Sequence, residues 1–350
     1  MEHSDLTYTN LNDTLRHQLL GQGLERLPHA LLLVGPAGVG KTAFAEQLAA
    51  LLLCESITPD LRACTACHAC AWQAAGNHPD FRRVAPETDE DTEDGVAERP
   101  AEKVKKRGPS GIRIDQIREL EGFVFVGSHR EGRRVVLITD ADAMNPAAAN
   151  ALLKILEEPP PSVYFIIVSS RKKSLLPTLR SRCRILPFAA PDTAAATAWL
   201  VRAGLENHAA RYLKLAGGAP LRVAQWKEQA QLAPIDALVE SLSTAPADPS
   251  ALAARWDALL KGSALFHMEN LVEGVQRWLF DLAQERMTGQ VRYHVGWPRP
   301  KGVEKLDPRV LMAAWREIIR FRRSARHPLN QLLFLENLAA HYLRGVRPVA

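Results

Sequence analysis

A chain of 350 residues, 47% apolar and 24% charged, is long enough for two or three domains with sizeable cores. Its formal charge of +5 is a mild pointer to anionic partners. No apolar run approaches the ~20 residues that span a bilayer, and the polar, acidic start "MEHSDLTYTN" has no apolar signal core. The expectation is a cytoplasmic protein with no membrane partner.

In chain order, "HALLLVG" (29–35) reads as a buried strand that runs directly into a glycine-rich loop, and "TAFAEQLAALLLC" (42–54) has the helical apolar period. The loop, "GPAGVGKT", fits G-x-x-x-x-G-K-[ST]. Strand before and helix after are the context that gives this pattern meaning. Backbone N–H groups around Gly35, Gly38 and Gly40 and the helix start would hold phosphates, Lys41 would reach the outer pair, and Thr42 would hold Mg²⁺. ATP with Mg²⁺ is therefore a candidate cofactor, and an idle cradle is the alternative.

Cys54, Cys64, Cys67 and Cys70 follow as C-x9-C-x2-C-x2-C. Four soft thiolates at short spacings suit tetrahedral zinc, and four protein ligands leave no open position for catalysis. A structural Zn²⁺ module over about 54–78 is expected, with His68 a spare and Cys183, the fifth cysteine, a small core residue. Residues 86–111 break the pattern: "ETDEDTEDGVAE" is acidic, "RPAEKVKKRGPSG" is basic and rich in breakers, and a mobile, solvated insertion is expected.

Helical periodicity resumes in "IRIDQIRELEGFV" (112–124). "RRVVLITD" (133–140) and "SVYFIIVSS" (162–170) are continuous apolar runs, as central parallel strands covered on both faces require. Between them lies a helix that Asn145 caps, Pro146 opens and Pro159 stops. The first of these strands runs out at Thr139, Asp140 and Asp142. "LRSRCRIL" (179–186) places three arginines on alternate positions; taken alone it reads as a solvated edge. After Pro187 the chain turns helical, with a linker expected at 242–250 and amphipathic helices beyond it.

"LPHALLLVGPAGVGKT", the four cysteines, "NHPDFRRVAP", "IRIDQIREL", "NALLKILEEPP" and "LRSRC" occur in one order, and in that order the chain resembles bacterial clamp loader subunits of the AAA+ family, most closely the delta prime type of DNA polymerase III. The resemblance covers about 25–190. It implies an α/β fold, an AAA+ P-loop domain with a parallel sheet and an inserted zinc module (1–188), then a small helical lid (189–243) and an all-α C-terminal collar (244–350). It further implies a subunit that does not hydrolyse ATP. In such a subunit, gamma/tau and delta clamp loader subunits are ring partners, and the sliding clamp and primer-template DNA are what the ring acts on. Thr139 stands where the motor subunits have Asp, and Asp140 where they have Glu, so a magnesium anchor and the residue that orients water are lost or displaced. Arg182 matches the trans-acting arginine finger, and Arg222 lies beside the position of a lid sensor. The competing reading is an ATP-hydrolysing motor, gamma/tau-like, with Asp140 and Asp142 as its acids in unusual register. A free zinc-module nucleic-acid binder is disfavoured, because the cysteine segment offers few bases or aromatics beyond Trp72.

Overall fold

The computed structural model describes residues 13–21, 23–86, 111–125, 132–171, 174–206, 208–325 and 330–347. The expected mobile insertion lies, for residues 87–110, outside the described residues, as do the first twelve. The chain folds as two compact units, 1–190 and 191–350.

The first unit contains α1 (Asp13–Leu20), β1 (Ala30–Val34), α2 (Lys41–Leu53), α3 (His68–Ala74), β2 (Phe81–Val84), α4 (Ile114–Phe125), β3 (Arg134–Ile138), α5 (Pro146–Glu157), β4 (Val163–Ser169), α6 (Pro177–Ser181) and β5 (Arg184–Pro187). The five strands form one sheet in the order β2-β3-β4-β1-β5, with every neighbouring pair parallel, so the expected parallel sheet is present. Every residue of β3 is buried, and β4 is buried except at Tyr164, which is why both read as unbroken apolar runs. β2 escapes that signal: it is a four-residue edge strand whose middle residues, Arg82 and Arg83, are exposed. The other edge strand, β5, is equally short, carries exposed Arg184 and ends at Pro187, so neither edge invites a further strand.

The ends of α5 follow the sequence reading. Asn145 Oδ1 accepts from the Ala148 N–H at 2.7 Å and Pro146 takes the first helical position. Behind the sheet edge, the buried Arg134 guanidinium meets Asp80 at 3.3 Å, donates to the Phe123 carbonyl and stacks on the Phe123 ring. A charge with 4% of its side chain exposed is tolerated there because carboxylate, carbonyl and ring all face it.

The second unit is helical: α7 (Thr193–Arg202), α8 (Ala209–Leu215), α9 (Pro220–Glu228), α10 (Leu232–Ser243), α11 (Pro249–Lys261), α12 (Met268–Thr288), α13 (Pro308–Ser324) and α14 (Gln331–Gly345). Its core is built around Trp256, Trp278 and Tyr342, all fully buried. The Trp256 indole N–H donates to Ser241 Oγ at 2.9 Å and the Tyr342 hydroxyl to the Leu242 carbonyl at 2.6 Å, so two large rings are buried with their polar atoms partnered. The expected linker at 242–250 shrinks to 244–248, because α10 runs to Ser243 and Asp248 already caps α11 through the Ser250 and Ala251 N–H groups. Among the described residues, no helix is long and apolar enough to cross a membrane.

Candidate functional site

β1 lies between β4 and β5, so the loop leaving its C-terminal end opens between two neighbouring strands, where parallel sheets bind ligands. A Cβ on Gly35 would sit 2.1 Å from the Phe188 carbonyl oxygen, so only glycine lets β1 pass this close to the end of β5. Gly38 (φ 79°) and Gly40 (φ 91°) adopt the left-handed backbone, and Gly40 then serves as N-cap of α2. The predicted residues Gly35, Gly38, Gly40, Lys41 and Thr42 thus form one turn at the start of α2.

Lys41 is buried and its ammonium donates to the carbonyls of Gly35 (2.8 Å) and Pro36 (2.6 Å) and to Ser170 Oγ (3.3 Å). Burial pushes it down to about 8, against the pull of Asp140 and Asp142. The loops after β1, β3 and β4 therefore meet at this lysine.

The acids after β3 are placed very differently from one another. Thr139 is buried, with its hydroxyl facing the Val84 carbonyl at 3.4 Å. Asp140 is exposed, on a left-handed turn with φ 51°. Asp142 is fully engaged by the loop after β4. Its carboxylate accepts from Ser169 Oγ (2.8 Å), Ser174 Oγ (2.6 Å), the Ser170 N–H (2.6 Å) and the Arg171 N–H (3.2 Å). This clamp was not legible in the sequence; the serines at 169, 170 and 174 were its one available signal.

The four cysteines converge. Cys54 is the C-cap of α2, Cys67 the N-cap of α3, Cys70 lies one turn into α3 and Cys64 precedes it. All four Sγ atoms lie within 4.8 Å of one another, with Cys54–Cys70 at 3.7 Å, Cys54–Cys67 at 3.9 Å and Cys64–Cys70 at 4.0 Å. Metal–sulfur bonds of ~2.3 Å in a tetrahedron imply S···S edges of about 3.8 Å, so the donor set fits a four-coordinate soft metal ion. Backbone N–H groups of Cys64, Cys67 and Cys70 point at the sulfurs of Cys54, Cys64 and Cys67 at 3.2–3.4 Å, favouring thiolates. His68, at the exposed start of α3, is outside this set. Cys183 is buried and its thiol is pushed up to about 11 by that burial, as a core residue's would be.

Arg182 is the C-cap of α6. It is half-buried. Its guanidinium pairs with Glu157, the last residue of α5, at 2.6 Å and donates to the Thr178 carbonyl at 3.2 Å. Arg222, in the second unit, pairs with Glu273 at 2.7 Å, a carboxylate that Arg277 shares at 2.6 Å.

A family model described as DNA polymerase III, delta subunit, matches residues 13–192, just over half of the chain. The DNA polymerase III subunit delta' of Pseudomonas aeruginosa is 43% identical over 196 residues, covering 55% of this chain and 54% of that one. The Escherichia coli subunit delta' is 34% identical over 194 residues, covering 55% and 52%. The chain spans about half the length of the curated relatives it matches. A gamma subunit-related protein of DNA polymerase III from Thermotoga maritima covers 96% of this chain at 17% identity, with a TM-score of 0.46.

Proposed function

Because the chain belongs to the DNA polymerase III delta subunit family, we propose that it works as a delta prime-type subunit of a clamp loader, a stator that lends catalysis to a neighbour and performs none itself. In this reading residues 189–243 are the lid and 244–350 the collar that joins a ring with gamma/tau and delta subunits. The ring loads a sliding clamp on primer-template DNA. The observation that carries it is the end of β3. Thr139 offers no carboxylate, and of the two acids that a motor reading would recruit, Asp142 is already held by Ser169, Ser170, Arg171 and Ser174, while Asp140 stands exposed on a left-handed turn.

The cradle itself is intact, so Lys41 and Thr42 would hold the phosphates and Mg²⁺ of a bound ATP, together with the N–H groups around Gly35, Gly38 and Gly40. Occupying it requires Lys41 to exchange carbonyl partners for phosphate. Nucleotide bound here would support the fold of the subunit, since Thr139 supplies no carboxylate, Asp142 is held by the loop after β4, and Asp140 is displaced onto an exposed left-handed turn. Cys54, Cys64, Cys67 and Cys70 would hold a structural Zn²⁺: four thiolates close the coordination shell and leave no place for a substrate.

Arg182 is the residue that would act in trans, on the ATP of an adjoining motor subunit. A planar, permanently charged fork suits charge spread over phosphate oxygens, and a finger of this kind is worth on the order of 10³–10⁵ in rate at its own site. Glu157 holds the same fork in the free subunit. Arg222, tied to Glu273, would have to leave that carboxylate to act as a lid sensor.

The test is ATP turnover by the chain alone and by the ring reconstituted with its motor subunits. The chain alone should show no turnover above background. Arg182→Ala should leave ring assembly intact, yet lower DNA- and clamp-stimulated hydrolysis partially, because one site of several is affected. Arg180→Ala and Arg184→Ala should do much less. Robust turnover by the isolated chain would overturn the stator reading, and equal effects of the three arginines would remove the finger.

A further inference from the structure

The chain's charge is concentrated at one end. Residues 308–350 contain eight arginines and no lysine against two glutamates, so this stretch is +6, while the other 307 residues, with 36 bases and 37 acids, are −1. Five of those arginines are on α13.

The helix explains where they point. Leu311, Ala314 and Ile318 are buried and form its inner seam. Arg309, Arg316 and Arg320 recur at intervals of seven and four residues, on the face opposite that seam, and all three are exposed. At 1.5 Å per residue the row is about 16 Å long. Of the three, among the described residues, only Arg320 has a carboxylate within ion-pair reach, Glu317 at 3.0 Å.

α14 extends the same surface. His341 packs its ring on Phe321 of α13 at 5.5 Å between centroids. Burial first, then Arg344 and Arg320, hold its imidazolium below the usual histidine range, against the opposing pull of Glu317. Arg344 is exposed.

A solvated helix face needs polarity of either sign. Mixed signs serve it best, since opposite charges four residues apart stabilise a helix by about 0.2–0.5 kcal/mol and like charges cost as much. Arg316 and Arg320 are such a like-charged pair. Choosing arginine throughout also selects the side chain whose fork matches phosphate oxygens in pairs. A protein-binding surface would have a charge-poor centre, whereas here the centre is the arginine row. Single-strand recognition needs exposed rings for base stacking. Trp315 instead faces Phe280, and Phe321 faces Phe334 and His341, so neither offers a free platform.

We propose that the arginine face of α13 and α14 is a binding site for the phosphate backbone of duplex nucleic acid, read without regard to sequence. The stator reading assigns no residue of this unit to nucleic acid, and the test needs only the full chain, so the two stand or fall separately.

The test measures the affinity of the full chain for a labelled 20-base-pair DNA duplex by fluorescence anisotropy across a salt series. With three to four phosphates neutralised, log K should fall against log[salt] with a slope of about −2.7 to −3.6. Arg309→Gln/Arg316→Gln/Arg344→Gln should make the slope shallower by about 2.7 and weaken binding at least tenfold near 0.1 M salt, with an unchanged melting temperature. The single variant Arg316→Gln should remove about 0.9 of slope, and Arg202→Gln, an exposed arginine on α7, should leave affinity within twofold. A slope that the triple variant does not alter would overturn the proposal. So would displacement of the duplex by poly-glutamate at equal charge, which would mark the face as a site for an acidic protein segment.

Discussion

Arg182 shows how little a functional arginine needs to contribute to its own fold. Its partner Glu157 is half exposed, and exposed ion pairs contribute roughly 0–1 kcal/mol. Arg182→Ala should therefore lower the unfolding free energy of the isolated chain in urea by less than about 1 kcal/mol, while the ring's stimulated turnover falls. A large loss of stability would mean that the fork holds α5 to α6 and has no separate task. Cys67 is the contrary case. It caps α3 with its sulfur, which also sits 3.9 Å from that of Cys54, and its thiol is pulled down to about 6: burial opposes the shift, but N–H groups of Glu55 and Cys70 outweigh it. Cys67→Ser should abolish the metal, read as loss of about one zinc per chain by elemental analysis. The 54–78 segment should open to proteolysis, since structural zinc contributes apparent energies of ~10–16 kcal/mol in small modules.

Among elements, α12 and the segment after it carry the clearest buried commitment. Asp281 is fully buried on α12 and accepts from the N–H groups of Arg292 and Tyr293 at 3.1 Å and of His294 at 2.6 Å, and from the His294 ring at 2.8 Å. Burial works against its charge, but the His294 ring and these N–H groups hold its carboxyl below the usual carboxylate range. Asp281→Ala leaves four donors unpaired, two of them on buried His294, and should cost about 3–5 kcal/mol in chemical denaturation. The alternation of polar and apolar residues marks α12 as an amphipathic helix, but nothing in it reveals that one acid turns inward to fasten residues 292–294. That depends on a loop eleven to thirteen residues further on. The Asp142 clamp was hidden for the same reason: its donors stand about thirty residues away, and only the parallel pairing of β3 with β4 brings the two loops together.

At the scale of the molecule, stability should depend on pH through groups that fold away from water. His294 is almost wholly buried, and burial pushes it below its ordinary 6.5 in spite of Asp281. The unfolded chain then binds a proton that the folded chain refuses. The contribution of His294 is complete above pH 6.5 and declines as pH falls below it. The melting temperature should drop between pH 7 and pH 5. His341 shifts in the same direction, so the share of His294 is read as the flattening produced by His294→Gln. A melting temperature flat across that range would remove the neutral, buried imidazole.

Sequence alone determined what rests on local chemistry. Gly35–Thr42 after an apolar run, four cysteines at metal spacing, the capped and proline-bounded α5 and the unbroken apolar β3 and β4 are each written within 17 residues or fewer, where backbone sterics and side-chain type decide the outcome. Tertiary structure decided which charges find partners. It tied Asp142 to the loop after β4, paired Arg182 with Glu157 and Arg222 with Glu273, made strands of the short edges at 81–84 and 184–187, and lined up Arg309, Arg316 and Arg320 away from a buried seam. The physical reason is common to all of them. A charge or an edge strand is settled by what stands within a few ångströms of it, and in this chain those neighbours come mostly from residues far along the sequence or from the face of a helix that only packing can define.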